Sequence, residues 1–238
     1  MMHGKGTYTY ISGASYEGEF EDGYMCGYGV FHYKNGSVYE GYFRDDKRHG
    51  EGKLVFSEVD IYHSLDDITA DELKTGELKD KEPPKKPNVY EGNWREGLMH
   101  GKGVYTFSTG AVYDGDFRFG IMHGRGKCKL TYGDYYEGQY KDGKEHGIGV
   151  YRYANGSVYE GKHYMTMCAI YVENELIVGE FKDGLMHGRG IFKYTNGDIY
   201  EGEFQGDVRH GPGVHKDKFG NQIDQMWKNG QRVQLQAL

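Results

Sequence analysis

Seven of the eleven histidines in this chain of 238 residues, His3, His49, His100, His123, His146, His187 and His210, share one register. Imidazoles repeated at a fixed spacing are the raw material of a metal site. If each sits on its own β-hairpin, equivalent positions lie two strands apart, roughly 9.6 Å. Zinc holds its nitrogen ligands at about 2.1 Å, so neighbouring histidines cannot share an ion. The register therefore reads as a structural turn position, with Cys26 replacing histidine in one repeat. Glutamates recur as regularly (Glu17, Glu40, Glu91, Glu137, Glu160, Glu201), whereas a general acid and base pair is unique and enclosed. Cys26, Cys128 and Cys168 are far apart and in no CxxC pairing, which fits a reducing compartment. Gly4-Lys5-Gly6 and Gly101-Lys102-Gly103 lack the Gly-Lys-Ser/Thr framework of a phosphate loop. No catalytic set, metal or cofactor is expected.

The elements that position these residues follow from composition. Glycine contributes 39 residues and proline only 4, so the glycine is not collagen-like and must serve turns or close packing. Apolar residues are 37%, yet aromatics reach 15%, including 23 tyrosines, so amphipathic rings supply the burying surface. The net charge of −7 opposes nucleic acid and anionic membranes unless a local basic patch intervenes. Without a signal core at Met1–Lys5 or a long apolar run, the chain is expected to be soluble and cytoplasmic.

Tyr16, Tyr39, Tyr90, Tyr113, Tyr136, Tyr159 and Tyr200 each open a Tyr-acid-Gly triplet, several of them 23 residues apart. A period this short marks an array of supersecondary units. The fullest unit runs Tyr90, Gly92, Trp94, Gly97, His100, Gly101, Gly103, Tyr105, Phe107, Gly110. Its alternation by two is the strand period, so each unit is two short strands. Asn35-Gly36 and Asn155-Gly156 after the second strand, and Asp22-Gly23 and Asp142-Gly143 after the first, suit hairpin turns with positive φ. Glycines inside strands leave holes into which neighbouring rings can lie. The opposite face, with Glu17, Glu19, Asp114, Asp116, Arg125, Lys127 and Lys129, is expected to be solvated.

The pattern resembles the MORN (membrane occupation and recognition nexus) repeat family, with its Tyr-x-Gly-x-aromatic strand, Gly, His-Gly-x-Gly and second aromatic strand. The resemblance implies an all-β fold, an elongated, twisted, single-layer antiparallel β-meander. About eighteen strands would form a rod of order 90 Å. The period divides the chain into a half repeat at 3–15, repeats at 16–38 and 39–61, an insertion loop at 62–89, repeats at 90–112, 113–135 and 136–158, an irregular hairpin at 159–176, repeats at 177–199 and 200–222, and a half repeat at 223–230. The insertion reads as a projecting loop with a short helix from Thr69 to Gly76, or else as a degenerate repeat. Both half repeats are expected to expose an unpaired edge, suited to a head-to-tail contact with another copy or a partner.

Partner contacts are expected where the repeat fails and along the aromatic and glycine face. The candidates are Tyr164, Met165, Met167, Ile170, Tyr171 and Val172 of the hydrophobic hairpin, with Trp94 and Trp227. The resemblance implies a non-catalytic scaffold for other proteins in a cytoskeletal setting, such as cilium, flagellum, axoneme or radial spoke. The alternatives are a peripheral adaptor binding acidic phospholipids weakly through alternating cations (Lys47, Arg48 and Lys53, or Arg125, Lys127 and Lys129), and a targeting fragment of a larger enzyme.

Overall fold

A computed structural model describes residues 1–57, 86–160 and 179–233. These residues are all-β: an antiparallel meander of hairpins, in two compact units. The first, Met1–Ile121, holds β1 (Gly4–Thr9), β2 (Ser15–Glu21), β3 (Tyr24–His32), β4 (Val38–Arg44), β5 (Lys47–Val55), β6 (Val89–Arg95), β7 (Leu98–Thr106) and β8 (Val112–Arg118). Each of these strands pairs with the next. The second unit, Met122–Leu238, takes in β9 (Ile121–Lys129), β10 (Tyr135–Lys141), β11 (Lys144–Arg152), β12 (Val158–Glu160), β13 (Gly179–Lys182), β14 (Leu185–Lys193), β15 (Ile199–Gln205), β16 (Val208–Lys216), β17 (Gln222–Lys228) and β18 (Gln231–Val233).

Two kinds of turn alternate. After the first strand of a repeat both central residues take positive φ, as at Asp22 (48°) and Gly23 (88°), the geometry that matches strand twist. After the second strand only the glycine does. Gly36 has φ 92°, while the Asn35 side chain accepts a hydrogen bond from the Ser37 amide at 2.9 Å. The expected Asn-Gly turns are thus wider than the Asp-Gly ones. In His100-Gly101-Lys102-Gly103 the glycines do different jobs. Gly101 (φ 67°) lies where the β6–β7 register shifts, and Gly103 pairs flat with Gly92.

That flat glycine pair holds the core. Tyr16, Tyr39, Tyr90, Tyr113, Tyr136, Tyr159 and Tyr200 are all fully buried. Each ring whose glycine contacts are resolved lies across the glycines of its own hairpin: a Cβ on Gly103 would come 2.6 Å from Cζ of Tyr90. In Tyr16, Tyr39, Tyr90, Tyr113 and Tyr136 the hydroxyl donates to the carbonyl three residues on, as Tyr90 to Asn93 at 2.8 Å and Tyr113 to Asp116 at 2.9 Å; the buried Tyr200 hydroxyl has no such acceptor. The aromatic four residues on stands edge-to-face against its own tyrosine and that of the preceding repeat. Trp94 meets Tyr90 at 5.0 Å and Tyr39 at 5.2 Å. The stack runs Tyr16, Phe43, Tyr39, Trp94, Tyr90, Phe117 in the first unit.

Both breaks in the period leave this stack intact. The amide of Phe56 donates to the carbonyl of Asn88 at 3.0 Å, as Tyr33 does to Ser37 in an ordinary turn, so residues 58–85 enter where a turn would be. At the second break the irregular hairpin expected at 159–176 lies outside the described residues from 161 on, and the flanking strands can be followed. Val158, Tyr159 and Glu160 of β12 pair with Arg152, Tyr151 and Val150 of β11. Gly179, Glu180 and Phe181 of β13 continue with Gly149, Ile148 and Gly147. The two short strands therefore share one strand position. Tyr159 packs edge-to-face on Phe181 at 5.3 Å and opens the repeat that the period assigns to Ile177. At the C-terminal half repeat, β18 pairs with β17, supplying a short second strand.

The glycine pair yields a direct test. Gly6 holds the position equivalent to Gly103 but has no tyrosine across it, and a Cβ there would meet nothing closer than 3.8 Å. Gly103→Ala is expected to destabilise by about 1–3 kcal/mol through overpacking, and Gly6→Ala to cost little. Urea unfolding midpoints of the two variants check the contrast, and equal losses would mean that backbone flexibility, not ring packing, selects glycine.

Candidate interaction face

The aromatic and glycine face is filled by the protein's own rings, so it offers a partner little. Trp94 is 4% exposed, and its indole N–H donates to the Gly52 carbonyl at 3.0 Å; it is core, contrary to the expectation from sequence. Trp227 is partly buried, 6.1 Å from Tyr200. Tyr164, Met165, Met167, Ile170, Tyr171 and Val172 lie outside the described residues, as does the insertion loop as far as residue 85.

Both tryptophans answer to an arginine. Nine residues after the repeat tyrosine most units carry methionine, as at Met25, Met99 and Met122, but two carry Arg48 and Arg209. Arg48 lies 4.3 Å over Trp94 and donates to the Gly97 carbonyl at 2.6 Å. Arg209 lies 4.5 Å over both Tyr200 and Trp227, and burial lowers its guanidinium pKa. The larger ring occurs only where a cation covers it. This pairing was visible in the sequence as two tryptophans, each following an arginine in the previous repeat.

The histidines do not converge: among the described residues no three His, Cys, Asp or Glu side chains are placed to hold a metal ion. His3 lies 4.0 Å from Asp22, and His49 makes a 3.2 Å contact with Arg44. Burial raises the thiol pKa of Cys26 and Cys128, which keeps them protonated and poorly nucleophilic.

Exposure and variety fall on the opposite face. In the first unit an open groove is lined by Tyr28, Glu40, Tyr42, Glu51, Lys53, Glu91 and Val104. Tyr28 and Tyr42 are 47% and 51% exposed. In the second unit the corresponding surface carries Ile191, Val214 and Met226 among Glu201, Glu203 and Asp224. The cations that suggested lipid binding mostly have partners. Lys53 reaches Glu91 at 3.3 Å and Lys127 reaches Glu137 at 3.1 Å. Lys47, 2.7 Å from Glu96, holds that carboxyl below its ordinary range.

These features define a class, a tandem array of β-hairpins with an internal ring stack and one exposed, varied face. A model of the MORN repeat matches residues 1–15, 16–38, 39–58, 90–112, 113–134, 136–158, 178–199 and 200–218, and the chain belongs to the MORN repeat family. The match resumes at 178, next to the start of β13, which shares its strand position with β12. No curated protein matches the sequence. Among solved structures, the SAS-4 (dCPAP) TCP domain of Drosophila melanogaster, in complex with a proline-rich motif of Ana2 (dSTIL), is similar at 10% identity. That match covers 94% of this chain and 90% of that one, with a TM-score of 0.43. The wild-type TCP10 domain of Danio rerio CPAP is similar at 12% identity over 93% and 99% of the two chains, with a TM-score of 0.29. Superpositions this loose carry no inference about what the chain binds.

Two predictions follow from the ring stack. Arg48→Met and Trp94→Phe should each destabilise, and a double-mutant cycle should give a coupling of about 0.5–2 kcal/mol. A coupling of zero would show the two side chains to be merely adjacent. The second concerns alkali. Burial pushes Tyr16 and Tyr200 up to about 12, and pushes Tyr39, Tyr90, Tyr136 and Tyr159 up as well. A phenol in the unfolded chain ionises near ~10, so the unfolded state alone releases protons above that pH. Stability is therefore expected to be level up to about pH 10 and to fall steeply from there through pH ~12. Urea midpoints measured across that range check it, and a rise above pH ~10 would contradict buried neutral rings.

Proposed function

We propose that this chain is a non-catalytic scaffold that holds other proteins along its exposed face, in a cytoskeletal assembly such as an axoneme. One observation carries the reading. The repeated tyrosines are engaged inside the hairpins, fully buried, whereas the opposite face, apart from the acidic residue that follows each tyrosine, changes from repeat to repeat. A surface that varies on a constant frame can present different contacts at successive positions. Membership in the MORN repeat family fits an interaction module. Affinity would come from exposed side chains such as Tyr28, Tyr42 and Met226, with the segments at 58–85 and 161–178 as further contacts. Pairing of the basic residues argues against a peripheral membrane adaptor.

The test compares two fractions. The full chain is expected to co-sediment with detergent-extracted cytoskeletons, less so when residues 58–85 are deleted, and to stay in solution with phosphatidylserine vesicles at about 0.15 M salt. Recovery on the vesicles without recovery in the cytoskeletal fraction would overturn the proposal.

A further inference from the structure

The groove of the first unit breaks the repeat at two positions that face each other. Three residues after the repeat tyrosine, other units carry Glu19, Asn93, Asp116, Gln139 or Glu203, but this one carries Tyr42. Twelve residues after it, others carry Glu51, Lys102, Arg125, Ile148 or Pro212, and one carries Tyr28. Tyr28 and Tyr42 are direct partners across β3 and β4, with ring centroids 5.4 Å apart at an interplanar angle of 80°. They form two walls at nearly a right angle, each about half open to solvent. Carboxylates stand around them. The Tyr28 hydroxyl donates to Oε1 of Glu40 at 2.7 Å, fixing that carboxylate beside the rings. Glu51 and Glu91 line the same groove. The one lysine there, Lys53, turns its ammonium to Glu91 at 3.3 Å. Glu40 and Glu51 have no ion pair among the described residues, and no cation of the described residues lies over either ring.

We propose that Tyr28, Tyr42, Glu40 and Glu51 form a site for a lysine or arginine side chain presented by a basic segment of a partner protein. The proposal rests on the interaction-module reading above and names the chemistry at one place on it. A ring face is electron-rich and attracts a cation. Two faces at right angles with carboxylates alongside answer both the charge of a side-chain cation and its apolar stem. The groove supplies anions and aromatic faces together, so charge complementarity selects a basic peptide over an acidic or purely apolar one. A cross-strand tyrosine pair also steadies a sheet on its own. That role does not need a carboxylate held at the phenol or two further acidic groups in the same groove.

The experiment uses the full chain and short fluorescein-labelled peptides of alternating serine with lysine, arginine or glutamine, read by anisotropy at low and moderate salt. The lysine and arginine peptides are expected to bind and the glutamine peptide not to. Combined Tyr28→Ser and Tyr42→Ser should weaken binding about tenfold. Glu40→Gln should weaken it several-fold, while Glu203→Gln in the second unit should leave it unchanged. Tyr28→Phe, which keeps the ring, should retain more binding than Tyr28→Ser, and thermal melts confirm that each variant is folded. Equal binding by the wild type and the double variant, or equal binding of the glutamine peptide, would overturn the site. If the chain co-sediments with cytoskeletons and the peptides ignore Tyr28 and Tyr42, the site fails and the scaffold reading stands. If the peptides bind as expected and no cytoskeletal recovery is seen, the site stands and the assembly assignment falls.

Discussion

A ring can be buried within a thin run of β-hairpins only where the backbone itself makes room for it. Here the room is a pair of facing glycines, and a tyrosine lies across that pair, in most hairpins with its hydroxyl turned to a backbone carbonyl. The phenol thus contributes apolar area and satisfies its polar end in one short arc. Without the glycines the ring would have to rise from the sheet, and the aromatic four residues on would lose the edge it packs against. The high glycine and tyrosine content and modest aliphatic content of the chain are consequences of this one contact.

The contact also explains what the repeat tolerates. Ring-to-ring packing links each hairpin to the next, so positions in the stack vary only among Phe, Tyr and Trp, as at Phe43, Trp94, Tyr140 and Phe204. Indole appears where Arg48 or Arg209 covers it. Away from the stack constraint relaxes, and the facing positions run through Glu, Tyr, Asn, Asp, Gln and Met. Constancy inside and variety outside come from the same geometry.

Much of this was legible in the residues themselves. Alternation by two gave away the strands, and the Tyr-x-Gly-x-aromatic spacing the hairpin units. The exposed face was legible only in part. Alternation says that there are two faces, but it does not say that a ring on one of them is wholly covered by its own hairpin. Trp94 therefore looked available when it is enclosed. The unit after Tyr159 is divided one way by the period and another way by the ladder. Ile177-Val178-Gly179 has the form of a repeat start, and a linear count cannot tell that Gly179 continues the strand that Glu160 leaves.

That split strand shows how such an array accepts new sequence. An insertion at a turn costs mainly loop-closure entropy, which grows slowly with length. An insertion within a strand also interrupts a ladder, and it survives only if both halves keep register with their neighbours. The halves here do so on both sides: β12 and β13 each pair with β11 and with β14. The cut falls between Glu160 and Gly179, after the tyrosine and before the aromatic, so Tyr159 and Phe181 still meet and Tyr159 still reaches the Glu180 carbonyl at 3.4 Å. Insertions are therefore confined to points that leave the ring stack closed. The frame thus determines where the chain can take up new sequence without loss of the fold.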